Sequence, residues 1–262
     1  MIFRWRRSGR AARSQRDGLG GLFRRLGEVP YYGSPERRRQ LGAGSLDAMA
    51  PVTLDEYLGQ RGQFAGPMSR ATQHTFEYPV DPVPRIAVLH RGFRSSGGVR
   101  AFPDGWSDEV SAFAPEAIAA TAAELSRLAI ASRSGRVALP SLRSASVALI
   151  ELGEPWPDET ESDLWWDTFG VPVFNYLLGP SGELLAMECE ARDGLHVVDG
   201  RVIVEEQDGE LLITPLAASI ARLRTGWSCR VEEPLCGCGR RGVKLAQLAG
   251  MAPSELAVAA GR

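Results

Sequence analysis

Between residues 146 and 178 the chain reads strand, helix, strand, and this unit constrains the fold more than any other stretch. SVALIE (146–151) is an almost uninterrupted apolar run between polar loops, the pattern of a strand covered on both faces in a parallel sheet. A capped helix follows over 158–169, closed by Gly170, which suits the left-handed turn that ends many helices. VPVFNYLL (171–178) is the next strand. Short links between such elements imply a right-handed crossover between parallel strands. DETESDLWWD reads as the solvated face of the helix, with Leu164, Trp165 and Phe169 turned inward.

Around this unit the pattern is less regular. Residues 85–89 read as a strand ahead of the loop HRGFRSSGGVRAF, within a stretch (59–110) of Gly, Pro, Ser and Arg with little periodicity. Pro115 at a first helical position, with Ile118, Ala122, Leu125 and Ala129 at helical spacing, predicts an amphipathic helix over 115–130. Upstream, a short helix breaks at Pro30, a second polar helical piece follows, and Thr53 caps a further helix. Beyond Leu178, residues 184–188, 195–198, 201–206 and 210–214 read as short strands, with Asp199-Gly200 and Asp208-Gly209 as tight-turn signals. The fold class is therefore α/β, a parallel sheet with helices plus a small antiparallel β region. The expected segments are a basic tail (1–23), a helical and loop region (24–112), an α/β core with the β region (113–250) and a C-terminal remnant (251–262).

With 262 residues, 44% of them hydrophobic, the chain can bury a substantial core. A formal net charge of -2 gives no strong signal for nucleic acid as partner. The charge is uneven, however: residues 1–25 hold eight arginines against the single acid Asp17. Such a segment reads as a disordered, solvated tail, with a nucleic-acid arm, a membrane arm and a transit-like peptide as open alternatives. No apolar run approaches the ~20 residues of a transmembrane segment, and no apolar segment follows the basic start, so a cytoplasmic location is expected. Four cysteines in a chain of this length do not make a secreted disulfide scaffold. Metal binding or plain burial remains.

LIELGEPW, FGVPVFNY, AMECEARDGLHVVDGRVIVEE, GELLITPL, ARLRTGW and PLCGCGR follow one another in an order that resembles the phenylacetate-CoA ligase and acyl-protein synthetase branch of adenylate-forming enzymes. VPYY and SLDAMAPVTLDEY look like that branch's N-terminal helices, so the similar segments cover roughly 24–60 and 113–246. The resemblance implies part of that family's large domain, a carboxylate or acyl ligand, and ATP with Mg2+ if the chain is active. It also implies a reaction that passes the acyl group from an adenylate to coenzyme A or another thiol.

Position by position the implied nucleotide site is damaged. The candidate phosphate loop is Ser95, Ser96, Gly97 and Gly98, without the lysine that usually follows, although backbone amides there could cradle a phosphate. Tyr176 matches the family tyrosine, but LLGPSGE follows it, and Glu183 could replace the magnesium-holding acid only through a re-routed loop. Arg224, Thr225 and Gly226 match a family run whose next residue is an aspartate that accepts from the ribose hydroxyls; here it is Trp227, and an indole can only donate. The family's catalytic lysine sits on a C-terminal subdomain, whereas 24 residues follow Cys238, and Lys244, the only lysine, lies too close to the cysteines. The expectation is a degenerate, shortened homologue whose adenylation is lost or depends on a protein partner supplying that subdomain. The alternatives are an active ATP-dependent carboxylate-activating ligase and a basic-tailed assembly module.

Cys189 and His196, with six residues between them, and Cys236 and Cys238 match a zinc pattern found in some members of the branch. Three thiolates and an imidazole are a tetrahedral zinc set with no open position, hence structural zinc. Residues two apart in an extended segment point the same way, so Cys236 and Cys238 are expected to reach one ion from extended backbone, with Arg230, Arg240 or Arg241 offsetting the net charge. Two other readings stay open: Cys189 buried beside Met187 with His196 an ordinary histidine, or a disulfide from Cys229 to Cys236 or Cys238. His74 and His90 read as isolated loop or surface residues.

Overall fold

The computed structural model describes residues 3–4, 10–65, 73–80, 82–233 and 235–250, with side chains from residue 18 onward. The elements in chain order are β1 (Phe3–Arg4), α1 (Arg10–Leu26), α2 (Pro35–Gly42), α3 (Leu54–Gly59), β2 (His74–Thr75), β3 (Ile86–Leu89), β4 (Phe93–Arg94) and β5 (Val99–Ala101). They continue with α4 (Asp108–Phe113), β6 (Ala117–Thr121), α5 (Ala122–Arg133), β7 (Ala145–Ile150), α6 (Glu159–Phe169), β8 (Val173–Leu178) and β9 (Leu184–Glu188). The last are β10 (Leu195–Val197), β11 (Val202–Gln207), β12 (Glu210–Pro215), β13 (Leu223–Glu232) and β14 (Lys244–Gly250). They fall into two compact units, one of Met1–Arg70, Val197–Pro234 and Gly242–Arg262, the other of Ala71–His196 and Leu235–Arg241.

The second unit holds the parallel sheet. Its strand order runs β9-β8-β7-β6-β3-β5; β5, β3, β6, β7 and β8 are parallel, and β9 turns back antiparallel to β8. All six residues of β7 are buried, as a strand with both faces covered requires. The expected strand–helix–strand unit is present: Asp158 caps α6 by accepting from Glu161 N, and Gly170 ends it at φ 64°. Trp165 is fully buried in a core with Leu125, Ile118 and Val173, against which Leu164 and Phe169 also pack. Its indole N–H donates to Ser126 Oγ at 3.0 Å, which satisfies the one polar atom such burial would strand.

The helix expected over 115–130 is half strand. Residues 117–121 form β6, paired on both sides with β3 and β7, and only from Ala122 does helix α5 begin, capped by Thr121 through Glu124 N. Small residues let β6 lie between two buried strands, and tertiary pairing overrides the helical propensity of alanine. Within the stretch 59–110, read as largely aperiodic, β5 and α4 also form.

In the first unit β1, β11, β12, β13 and β14 pair antiparallel in that order. The meander expected from the tight turns is there, extended by β13 and β14. Along β13, Leu223, Thr225, Trp227, Cys229 and Val231 are buried, alternating with more exposed neighbours. The expected disordered tail differs as well, because residues 10–26 are helical. Leu22 and Leu26 are buried with Tyr32, Leu46, Met49 and Ile203, each side chain contributing on the order of 2 kcal/mol. Arg222, at φ 51°, is buried with Glu205, its Nε 3.1 Å from Glu205 Oε2 and its Nη1 donating to Met49 O at 2.7 Å. The expected remnant 251–262 lies outside the described residues.

Candidate functional site

The cysteines and the histidine meet in the second unit. Cys189 is the first residue beyond β9, where its carbonyl accepts from Arg192 N at 2.9 Å, closing a turn. His196 projects from the middle of β10. Cys236 and Cys238 do not sit on extended backbone as expected. They lie in a tight turn in which Cys236 O accepts from Gly239 N at 2.9 Å and Cys236 N donates to Arg240 O at 3.1 Å. Gly239 at φ 81° allows this, since a side chain there would strain the backbone. A Cβ on Gly237 would lie 3.4 Å from that of Ala191, so the two turns pack against each other.

Their donors converge. Cys189 Sγ is 3.6 Å from Cys236 Sγ, Cys238 Sγ is 3.4 Å from His196 Nε2, and all four donor atoms lie within 4.8 Å of one another. A tetrahedral zinc with ordinary Zn–S and Zn–N bonds sets its ligands about 3.8 Å (S to S) and about 3.6 Å (S to N) apart, so the donor set fits. Cys189, His196 and Cys236 are buried. Burial, with the Cys238 and Cys236 thiols beside it, pushes the Cys189 thiol up to about 12. A divalent cation reverses that preference and makes the thiolates the stable form. Cys229 belongs to the other unit, on β13, where burial pushes its thiol up to about 12.

The candidate nucleotide residues are otherwise engaged. Ser96 and Val99 exchange both backbone hydrogen bonds, at 2.9 and 3.0 Å, around Gly97 and Gly98, and Ser95 Oγ accepts from Ala101 N at 3.0 Å. The loop is thus a two-residue hairpin turn. Tyr176 has no exposed surface; its hydroxyl donates to Glu77 O at 2.9 Å and its ring stacks on Phe76. Glu183, in the loop after β8, is buried, with Oε2 accepting from Ser181 N at 2.8 Å.

Arg224 and Thr225 belong to the first unit. Arg224 pairs with Glu210, whose other oxygen accepts from Gly226 N at 3.1 Å. Thr225 Oγ1 donates to Leu211 O at 2.9 Å and accepts from Trp227 N at 3.2 Å. Trp227 is 2% exposed, and its ring covers Gly250 so closely that a Cβ there would meet Cδ1 at 2.0 Å.

Sequence reasoning missed one pair. His90 directly follows β3 and Glu151 directly follows β7, and His90 Nε2 lies 3.2 Å from Glu151 Oε1. Because His90 Nδ1 accepts from Gly92 N at 3.0 Å, its proton sits on Nε2 and is donated to the carboxylate. Glu154 stands next to this pair, its carboxyl held above the usual range by burial, against the opposing hydrogen bond from Glu151 N. The available signal was position: both residues end buried strands, and the carboxyl edge of a parallel sheet is where α/β folds collect polar groups.

No family profile and no characterised protein matches the chain by sequence. Solved structures do. The chain is similar to 2-hydroxyisobutyryl-CoA ligase in complex with 2-HIB-AMP and CoA in the thioesterification state, with a TM-score of 0.63 and 17% identity, over 94% of this chain and 70% of that one. The postadenylation state with R3-HIB-AMP gives 0.62 and 16% over 92% and 68%. The fold matches part of that ligase's fold. At this identity the likeness is one of architecture alone.

Proposed function

We propose that this chain is a degenerate relative of the phenylacetate-CoA ligase branch, keeping the large-domain scaffold and a structural zinc while its own adenylation is lost or depends on a partner. The observation that carries the reading is Trp227: where the resemblance expects an acceptor for the ribose hydroxyls, a buried indole packs over Gly250. The buried Tyr176 and the closed Ser96–Val99 turn support it. Adenylyl transfer depends almost wholly on positioning and charge compensation, so these losses remove most of what drives it.

Cys189, His196, Cys236 and Cys238 would hold the zinc. With four protein ligands it has no open position for water, and it would serve by tying the turn after β9 to the loop 236–239. Such an ion contributes on the order of 10 kcal/mol of apparent binding energy to folding.

ATP–pyrophosphate exchange with a panel of aromatic and fatty acids tests the reading. The isolated protein is expected to exchange at background. Exchange above background that is abolished by altering Tyr176 or Arg224 would establish an active carboxylate-activating ligase instead.

A further inference from the structure

We propose that residues 73–80 form a strap over the Tyr176 ring and that the cysteine turn, through Arg240, holds this strap closed. The inference rests on the zinc assignment above. Several attachments pin the strap within the second unit, and these bear on the Tyr176 ring. His74 N donates to Gly92 O at 2.7 Å. Phe76, 5% exposed, stacks on Tyr176 with ring centres 5.5 Å apart and 17° between the planes. Tyr176 Oη donates to Glu77 O at 2.9 Å. Another comes from the cysteine turn, where Arg240 Nη2 donates to Pro79 O at 2.8 Å.

Arg240 is placed by the same turn that presents the thiols. Its carbonyl accepts from Cys236 N, and Gly239 before it closes the turn onto Cys236 O. An ion held by Cys236 and Cys238 fixes that backbone, and with it the origin of the Arg240 side chain. Three thiolates and an imidazole on Zn2+ also leave one net negative charge, which favours a guanidinium alongside. Metal loading thus reaches Pro79 through one residue.

Other contacts to the strap are made at its exposed N-terminal end, where His74 Nε2 lies 3.3 Å from Ser181 O and Arg94 donates to Thr75 Oγ1 at 3.3 Å. Its strand, β2, makes only a two-residue parallel pairing with β4, and a segment with so short a backbone ladder opens toward the low end of the local stability range. While closed, Phe76 covers one face of the Tyr176 ring. Loss of the metal, or of the Arg240 contact, uncovers it.

Hydrogen exchange of the peptide covering 73–80 in the full chain, with zinc content measured on the same samples, tests the coupling. Arg240→Gln is expected to raise exchange there at least about tenfold, the effect of losing one charge-assisted hydrogen bond, and metal-stripped wild type to do the same. Arg136→Gln, which removes the same charge from an exposed position outside the cysteine turn, is expected to exchange like wild type. Linkage requires the converse too: Phe76→Ala, which alters no ligand, weakens zinc affinity in chelator competition, and zinc lost from Arg240→Gln is that coupling read from the other side. Full zinc with unchanged exchange in Arg240→Gln overturns the strap and leaves the zinc assignment standing. Purified protein without zinc overturns both.

Discussion

Restoring the aspartate that the resemblance expects, by Trp227→Asp, should unfold the first unit and not revive adenylation. Trp227 is 2% exposed on β13, flanked inward by Thr225 and Cys229, and its ring covers Gly250. Removing a buried tryptophan costs about 3–5 kcal/mol, and a carboxylate left in its place without a partner costs several kcal/mol more. Together these reach about 6 kcal/mol or more, against a typical total stability of about 5–15 kcal/mol. Trp227→Phe keeps the site apolar and should lose only roughly 1–3 kcal/mol. Urea unfolding followed by far-UV circular dichroism compares the two, since that signal does not depend on the removed indole. A Trp227→Asp protein that unfolds within about 1 kcal/mol of Trp227→Phe would mean that position 227 reaches solvent. The argument that the indole displaced the ribose acceptor would then fall.

Leu26→Ala should lower stability by about 2–5 kcal/mol in the same assay, because Leu26 is fully buried in the first unit; an unchanged midpoint would make α1 dispensable. Glu154→Gln should raise the melting temperature at neutral pH. The folded carboxyl is held above the ordinary range by burial, so its stabilising contribution is full below the unfolded value and lost as pH rises through the folded one. The gain should shrink to nothing in acid, and a gain independent of pH would refute the assignment.

The strands and helix over residues 145–178 were legible because burial on both faces leaves a continuous apolar run, and Asp158 and Gly170 mark the helix ends. Residues 117–121 were not, since AIAAT continues the helical spacing of the residues after it, and only pairing with β3 and β7 makes it a strand. β13 did carry a signal. Its buried set of Leu223, Thr225, Trp227, Cys229 and Val231 alternates strictly, but polar and sulfur-bearing members disguise the period. In β14, buried Lys244 gave no apolar cue. For the cluster, residue type and spacing identified the four donors, whereas the turn at Gly239 depends on one backbone angle that no spacing reveals. The strap was hidden because its contacts join residues far apart in the chain: Tyr176 with Glu77, and Arg240 with Pro79.

Metal analysis of the purified protein beside Cys189→Ser and Cys236→Ser addresses the central claim most directly. The convergence of Cys189, His196, Cys236 and Cys238 predicts about one zinc per chain in wild type and its loss from both variants. Less than one zinc in two chains, or unchanged content in both variants, would contradict it.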